Sequence, residues 1–226
     1  NIRRFRRLTL SAAIRVYLQE ADARLVRLFS IVTRLREFRY MDKTVANCFH
    51  LEFLEQAYPD AHYIFLVRDP RASISSMLEG WSYVHLVGKP HLSPYIPPTA
   101  AISHWSFPAP PGWQEQINRP LPEICAWSWQ QHIEFALRFF QTHDVPVIKL
   151  RYEEMIRDPI EVLRRLVHEL GLPPTQAAFD FAARRPVSRT AISPPAPDKW
   201  RRLHYHQIMG ILPLIRDTAR KIGYEV

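Results

Sequence analysis

The chain has 226 residues, of which 47% are hydrophobic and 23% are charged, and its formal net charge is +8. This composition is typical of a globular protein, and no apolar run approaches the length needed to span a membrane. The two cysteines, Cys48 and Cys125, lie far apart and outside any CxxC pattern. This spacing argues against a disulfide framework or a zinc site, and reduced thiols predict a cytoplasmic protein.

The predicted elements begin with an arginine-rich segment. Residues 1–40 contain ten arginines and three acidic residues, with apolar residues at helical spacing from Leu10 to Leu35. The pattern predicts one long amphipathic helix, or two that break near Ala21–Asp22. A basic end can bind nucleic acid, an anionic membrane or an anionic ligand, or can form a solvated helix face. Phe5 is the single aromatic residue among the first four arginines, so base stacking is poorly supported and no nucleic-acid partner is expected.

Strands and helices then alternate along the chain. We predict a short strand over 38–43, a helix over Asn47–Tyr58 capped by Thr44 or Asn47, a strand over Ala61–Val67, a helix over Pro70–Leu78 with Gly80 as its C-cap, a helix over Pro122–His143, a strand over Pro146–Tyr152, and helices near Ile160–Leu170, Thr175–Ala183 and Tyr205–Lys221. This alternation predicts the α/β class, with a central parallel sheet between two helical layers.

Residues 81–122 interrupt the alternation. They hold nine of the 20 prolines and six large aromatic residues: Trp81, Tyr83, Tyr95, Trp105, Phe107 and Trp113. Because disordered segments are poor in aromatic residues, we predict an ordered, irregular loop with binding potential. A second proline-rich loop is predicted over Ser188–Lys199.

The stretch YIFLVRDPRASISSM, residues 63–77, indicates an anion site. Arg68 ends an apolar strand, while Asp69 suits an N-cap and Pro70 suits the first helical position. In open parallel sheets, ligands bind beyond the carboxyl ends of the strands, where helix N-termini present N–H groups. The arginine fork can hold a phosphate by two charge-assisted hydrogen bonds, and Ser76 can add a hydroxyl donor. The alternative is an Arg68 that pairs only with a neighbouring carboxylate.

This stretch resembles the 3′-phosphate-binding segment of the sulfotransferases that use 3′-phosphoadenosine 5′-phosphosulfate. In that family the strand ends in arginine and a serine follows eight residues later, as Arg68 and Ser76 do here. DKT at 42–44 resembles the family's Lys-Thr/Ser element, and RYEEMIRDP at 151–159 resembles the element whose tyrosine lies near the adenine. SHWSFPAPPGW, ICAWSWQQHIEFAL and the closing PDKW…IGYEV resemble segments of the bacterial-type enzymes. Together these matches cover about residues 40–226.

The resemblance implies a P-loop-NTPase-like sulfotransferase fold for residues 1–226 as one domain. It implies transfer of a sulfuryl group from 3′-phosphoadenosine 5′-phosphosulfate to a hydroxyl or amine acceptor, without a metal. By the same resemblance, Lys43 contacts the sulfuryl or acceptor region, and Arg68, Ser76 and Tyr152 bind the nucleotide. Arg189 and Lys199 lie where the family completes its nucleotide pocket, although they also fit ordinary loop residues, as Lys43 fits a surface lysine.

Two features depart from the family pattern. No glycine precedes Gly80, so the glycine-containing 5′-phosphosulfate loop is expected upstream of Asn1 and the domain is expected to be N-terminally incomplete. Val45 stands two positions after the lysine, where the small-molecule sulfotransferases have a histidine, so no general base is assigned.

A nucleotide-binding pseudo-enzyme and a basic nucleic-acid-binding protein are the alternatives to an enzyme. The aromatic loop, with few lysines or arginines, favours a small, partly apolar acceptor.

Overall fold

The computed structural model describes residues 41–82, 96–185, 192–193, 196 and 198–226. The chain divides into two units, Asn1–Ala61 and His62–Val226. The predicted arginine-rich helix and Arg189 lie outside the described residues. The assignment of all 226 residues to one domain stays a prediction.

The first unit contains two short helical segments in its described part. A 3-10 helix spans Val45–Phe49 and helix α1 spans Leu51–Ala57. The predicted single helix over Asn47–Tyr58 was therefore wrong in its first turn. His50 separates the two segments, because its φ of −131° is not helical and its N–H donates to the Asn47 carbonyl three residues back.

Residues 41–44 precede this 3-10 helix and have no regular secondary structure, so the described end of the strand predicted over 38–43 is not a strand. The Asp42 carboxylate accepts hydrogen bonds from Thr44 Oγ1 at 2.8 Å and from Asn47 Nδ2 at 3.1 Å. These local bonds tie the side chains of this segment to Asp42, and aspartate side chains commonly compete with regular secondary structure in this way.

Among its described residues, the second unit contains a sheet of two parallel strands. Strand β1 spans Tyr63–Val67 and strand β2 spans Val147–Arg151. They pair in parallel, with Val67 opposite Arg151 at the carboxyl end. Both strands and the α/β class are confirmed, and a parallel pair places the two strand ends at one edge of the sheet.

Helices make up most of the described part of the second unit. They are α2 (Pro70–Ser82), a 3-10 helix (Trp113–Gln116), α3 (Leu121–Thr142), α4 (Tyr152–Arg157), α5 (Pro159–Glu169), α6 (Gln176–Ala183), α7 (Lys199–Leu203) and α8 (Tyr205–Lys221). The long predicted helices are confirmed, whereas the short helices α4 and α7 were missed. Within the described ranges, no helix is long and apolar enough to cross a membrane.

Gly80 does not end helix α2, so its prediction as a C-cap was wrong. The helix continues to Ser82, and a Cβ atom at Gly80 would lie 2.5 Å from Cζ of the Phe107 ring. The glycine is therefore explained by close packing of an aromatic ring from the proline-rich loop rather than by a turn.

The core lies between α2, α3 and α8, which pack against one another. Its fully buried side chains include Ile74, Trp105, Ile124, Ile208 and Ile215.

One face of the sheet packs on α3, where the rings of Tyr63 and Phe65 contact Phe140. On the other face, Ile64 and Leu66 are 40% and 45% exposed. The second helical layer stays a prediction.

Candidate functional site

The site begins where the two parallel strands end. Because Val67 lies opposite Arg151, the next residues of the two strands, Arg68 and Tyr152, are neighbours at the carboxyl edge. The Arg68 guanidinium carbon lies 4.7 Å from the centroid of the Tyr152 ring. This is the geometry of a cation–π contact, and it joins two side chains that the sequence assigns to one ligand.

Helix α2 brings the third predicted residue to the same place. Ser76 lies in the second turn of α2, and its hydroxyl accepts a hydrogen bond from Arg68 Nη1 at 3.3 Å. All three side chains are half-buried. The N-terminus of α2, at Pro70, adds the positive end of a helix dipole to the Arg68 charge.

The charge balance around Arg68 differs from that around Arg71. Arg71 pairs with Asp69, with 2.8 Å between Nη2 and Oδ2 and 3.0 Å between Nε and Oδ1. Hydrogen bonding to this carboxylate raises the pKa of Arg71. Among the described residues, Arg68 forms no ion pair with a carboxylate. The alternative in which Arg68 only pairs with its neighbour is therefore not what the described residues show.

Asp69 has the predicted capping role as well. Its Oδ1 accepts the backbone N–H of Arg71 at 2.8 Å, which satisfies one of the free donors in the first turn of α2. The cap fixes the backbone between the end of β1 and the start of α2, where Arg68 lies.

Lys199 lies in the same unit, but its ammonium already has protein partners. Nζ lies 2.5 Å from Glu79 Oε2 and 2.5 Å from Ser193 Oγ, and the side chains of the ion pair are only 13% and 14% exposed. Burial by itself raises the pKa of Glu79, but the hydrogen bonds from Lys199 and Ser193 outweigh it, and the pKa lies below its ordinary value. The contact joins α7 to α2. The predicted role of Lys199 in nucleotide binding stays a prediction.

A second polar contact accompanies this ion pair. Ser75 Oγ lies 2.8 Å from His204 Nδ1, so the residue between α7 and α8 is also fixed to α2. Burial lowers the pKa of His204, which therefore tends to stay neutral.

Lys43 belongs to the first unit, where its side chain is exposed in the irregular segment before the 3-10 helix. Its role at the sulfuryl group stays a prediction.

Part of the aromatic loop, which was predicted to bind a ligand, lies in the hydrophobic core. Trp105 is fully buried, and its ring centroid lies 5.5 Å from that of Trp81 and 5.3 Å from that of Trp113. Trp81 is itself only 5% exposed. Trp81 and Trp105 are therefore too buried to supply apolar area to a ligand. The prediction of a partly apolar acceptor loses that part of its support.

Two residues near the strand ends were missed by sequence reasoning. Glu153 Oε1 accepts the backbone N–H of Asp69 at 2.9 Å, and Glu153 Oε2 accepts the hydroxyl of Tyr224 at 2.5 Å. Both contacts join residues more than 70 positions apart, so no local pattern could have indicated them.

Comparison with known proteins finds that part of this chain is similar to one family. Residues 4–91, which include Lys43, Arg68 and Ser76, match the sequence model described as "Sulfotransferase family". The chain is 23% identical over 205 residues to the nodulation protein NoeE of Sinorhizobium fredii, and the alignment covers 82% of this chain and 44% of NoeE.

Two solved structures are also similar. Sulfotransferase STF9 from Mycobacterium avium has a TM-score of 0.49 and 20% identity, covering 80% of this chain and 41% of STF9. The sulfotransferase domain from the curacin biosynthetic pathway has a TM-score of 0.49 and 15% identity, and the match covers 96% of this chain and 75% of that domain. The chain thus spans less than half the length of NoeE and of STF9.

Proposed function

Because the chain is related to the sulfotransferase family, we propose that it binds 3′-phosphoadenosine 5′-phosphosulfate and transfers the sulfuryl group to a hydroxyl or amine acceptor. The main support for this proposal is the position of Arg68. Its guanidinium ends a parallel strand, contacts Ser76 and Tyr152, and forms no ion pair with a carboxylate among the described residues.

These three side chains suit the two parts of such a nucleotide. A guanidinium fork and a hydroxyl match the oxygens of the 3′-phosphate, and each charge-assisted bond stabilises the complex by about 1.5–3 kcal/mol. The Tyr152 ring offers an aromatic surface for the adenine. Arg71 cannot replace Arg68, because its charge is already balanced by Asp69.

In the reaction, the acceptor oxygen or nitrogen forms a bond to sulfur, and the bond between sulfur and the 5′-phosphate oxygen breaks. 3′-Phosphoadenosine 5′-phosphate leaves, and the acceptor loses its proton to a base. Such a transfer depends on in-line positioning and on stabilisation of the charge that develops on the leaving phosphate. By the family resemblance, we assign to Lys43 contact with the sulfuryl group or the acceptor, a role that suits its exposed ammonium as a compact, mobile charge.

Arg189 and Lys199 are proposed as further basic residues of the nucleotide pocket. For Lys199, contact with the nucleotide requires the ammonium to leave or share Glu79, since the two side chains form a largely buried ion pair. This makes Lys199 a weaker candidate than Arg68.

The proposal is tested by transfer of labelled sulfate with the full-length protein, from labelled donor to a panel of alcohols, phenols, amines and glycans. We expect label on an alcohol, phenol or amine, and a rate at least about tenfold lower in Arg68→Ala, because a charge-assisted contact is lost. The control is Arg164→Ala, which removes an exposed ion pair with Glu161 on α5. Binding of the nucleotide without transfer to any acceptor would favour the pseudo-enzyme, and absence of nucleotide binding would overturn the proposal.

A further inference from the structure

Glu153 holds the turn after β1 against the end of β2. Its Oε1 accepts the backbone N–H of Asp69 at 2.9 Å, across 84 positions of sequence. Asp69 directly follows Arg68, and Glu153 directly follows Tyr152. One carboxylate oxygen therefore joins the two chain segments that carry the contacting pair Arg68 and Tyr152.

This bond completes the cap of helix α2 from outside the helix. In a capping box, the residue at the third helical position turns back and accepts the N–H of the N-cap residue. In α2 the third helical position is Ala72, which has no acceptor, while the Asp69 side chain already takes the N–H of Arg71. Glu153 supplies the missing acceptor from the neighbouring strand end.

The other oxygen of Glu153 is fixed by the C-terminal residues. Tyr224 is 8% exposed, and its hydroxyl donates to Glu153 Oε2 at 2.5 Å. Arg151 in turn donates through Nη2 to the Gly223 carbonyl at 2.6 Å and lies 4.8 Å from the Tyr224 ring centroid. Burial, together with the contact to Glu153, raises the pKa of Tyr224, so its hydroxyl remains a donor at neutral pH.

We propose that Glu153, held by Tyr224, is a positioning residue that sets the distance and angle between Arg68 and Tyr152 for recognition of a nucleotide 3′-phosphate. This inference rests on the proposed function. The Glu153 carboxylate accepts the Asp69 N–H and the Tyr224 hydroxyl, so it acts through the Asp69 backbone, which fixes where the Arg68 side chain starts. Its negative charge does not help to bind an anion, so its contribution comes from geometry alone.

Geometry and charge predict opposite results for Glu153→Ala, which loses the hydrogen bond to Asp69 but also removes a negative charge that repels an anion, and Glu153→Gln separates the two effects. In Glu153→Gln the amide oxygen still accepts the Asp69 N–H, the amide nitrogen still reaches the Tyr224 hydroxyl, and the negative charge is gone. We expect this variant to bind at least as tightly as the wild type. In Glu153→Ala the hydrogen bond is lost, and the dissociation constant for 3′-phosphoadenosine 5′-phosphate should rise about fivefold to tenfold.

The experiment is calorimetric titration of the full-length protein with 3′-phosphoadenosine 5′-phosphate and, separately, with adenosine 5′-monophosphate, which lacks the 3′-phosphate. A positioning role predicts that Glu153→Ala loses affinity for the first ligand and changes less than about twofold for the second. Tyr224→Phe should show the same selectivity to a smaller extent. The matched control is Glu154→Ala, which removes the neighbouring carboxylate and its 3.6 Å ion pair with Arg165.

The outcomes separate this inference from the proposed function. If the wild type binds 3′-phosphoadenosine 5′-phosphate but Glu153→Ala binds it equally well, the positioning role is overturned and the proposed function stands. Equal losses for both nucleotides, without rescue in Glu153→Gln, indicate a merely structural residue and also overturn it. If the wild type does not bind the nucleotide at all, both proposals fail.

Discussion

The guanidinium of Arg68 lies 4.7 Å from the ring centroid of Tyr152, and this contact depends on the ring rather than on the phenol hydroxyl. Tyr152→Phe should therefore keep nucleotide affinity within about twofold, since the ring face that attracts the cation remains. Tyr152→Ala should weaken binding by about 0.5–2 kcal/mol, the usual range for a cation–π contact. Titration calorimetry on the two variants measures this difference. Equal losses in both would show that the hydroxyl, not the ring, contacts the ligand.

The ion pair between Lys199 and Glu79 should stabilise the fold, because both side chains are largely buried. Lys199→Ala leaves the Glu79 carboxylate without its strongest partner and should lower the free energy of unfolding by about 1–3 kcal/mol. Denaturant unfolding gives this quantity. Arg201→Ala, which removes an exposed ion pair with Asp198, is the control and should cost less than about 1 kcal/mol. Equal effects of the two variants would contradict a stabilising role.

His204 should make the stability depend on pH. Burial lowers its pKa below the ordinary value of 6.5, while the Glu79 charge acts in the opposite sense and the Lys199 charge in the same sense. The unfolded chain therefore takes up the proton more readily than the folded protein, so stability present above about pH 6.5 is lost as the pH falls through the folded pKa.

The comparison that isolates this effect is between the wild type and His204→Gln. The free energy of unfolding should fall more steeply in the wild type between about pH 7 and pH 5, because the variant has no imidazole to charge. His206→Gln, at an exposed position two residues further on, is the matched control. Identical pH profiles for the wild type and His204→Gln would show that the contact with Ser75 tolerates protonation.

Both thiols should react slowly in the folded protein. Burial raises the pKa of Cys48 and of Cys125 to about 12, although backbone hydrogen bonds partly oppose this at Cys48, and Cys125 is fully buried. Because the thiolate is the reactive form, a disulfide reagent at about pH 8 should modify neither thiol quickly in the native protein, and both in guanidinium chloride. The variant Cys48→Ser isolates Cys125. Rapid native labelling of Cys125 would indicate local opening of α3.

The sequence predicted that Arg68 and Ser76 lie close together, because their placement depends on local rules. An apolar run that stops at Arg68, followed by Asp69 and Pro70, indicates a strand, a cap and a helix start in that order. Once a helix begins there, a serine eight positions after the arginine lies in its second turn, within reach of the guanidinium. The nucleotide role of this pair still rests on the family resemblance and on the proposal above.

Predictions that depended on distant contacts failed or could not be made. Glycine is common at helix ends, but at Gly80 the ring of Phe107 packs beside the backbone and the helix continues to Ser82. Trp81 and Trp105 share one proline-rich segment with other aromatic residues, and composition cannot distinguish a core residue from a ligand contact. Glu79 lies 120 positions from Lys199, and the partners of Glu153 lie 84 and 71 positions away, so only the folded chain reveals these contacts.

The most direct test of the account compares two arginines of the same turn. In titrations with 3′-phosphoadenosine 5′-phosphate, Arg68→Ala should weaken binding by about 1.5–3 kcal/mol, a factor of roughly ten to a hundred in Kd. Arg71→Ala should change Kd by less than about threefold, because Asp69 already neutralises that charge. Unchanged affinity in Arg68→Ala, or an equal loss in both variants, would contradict the assignment of the 3′-phosphate to Arg68.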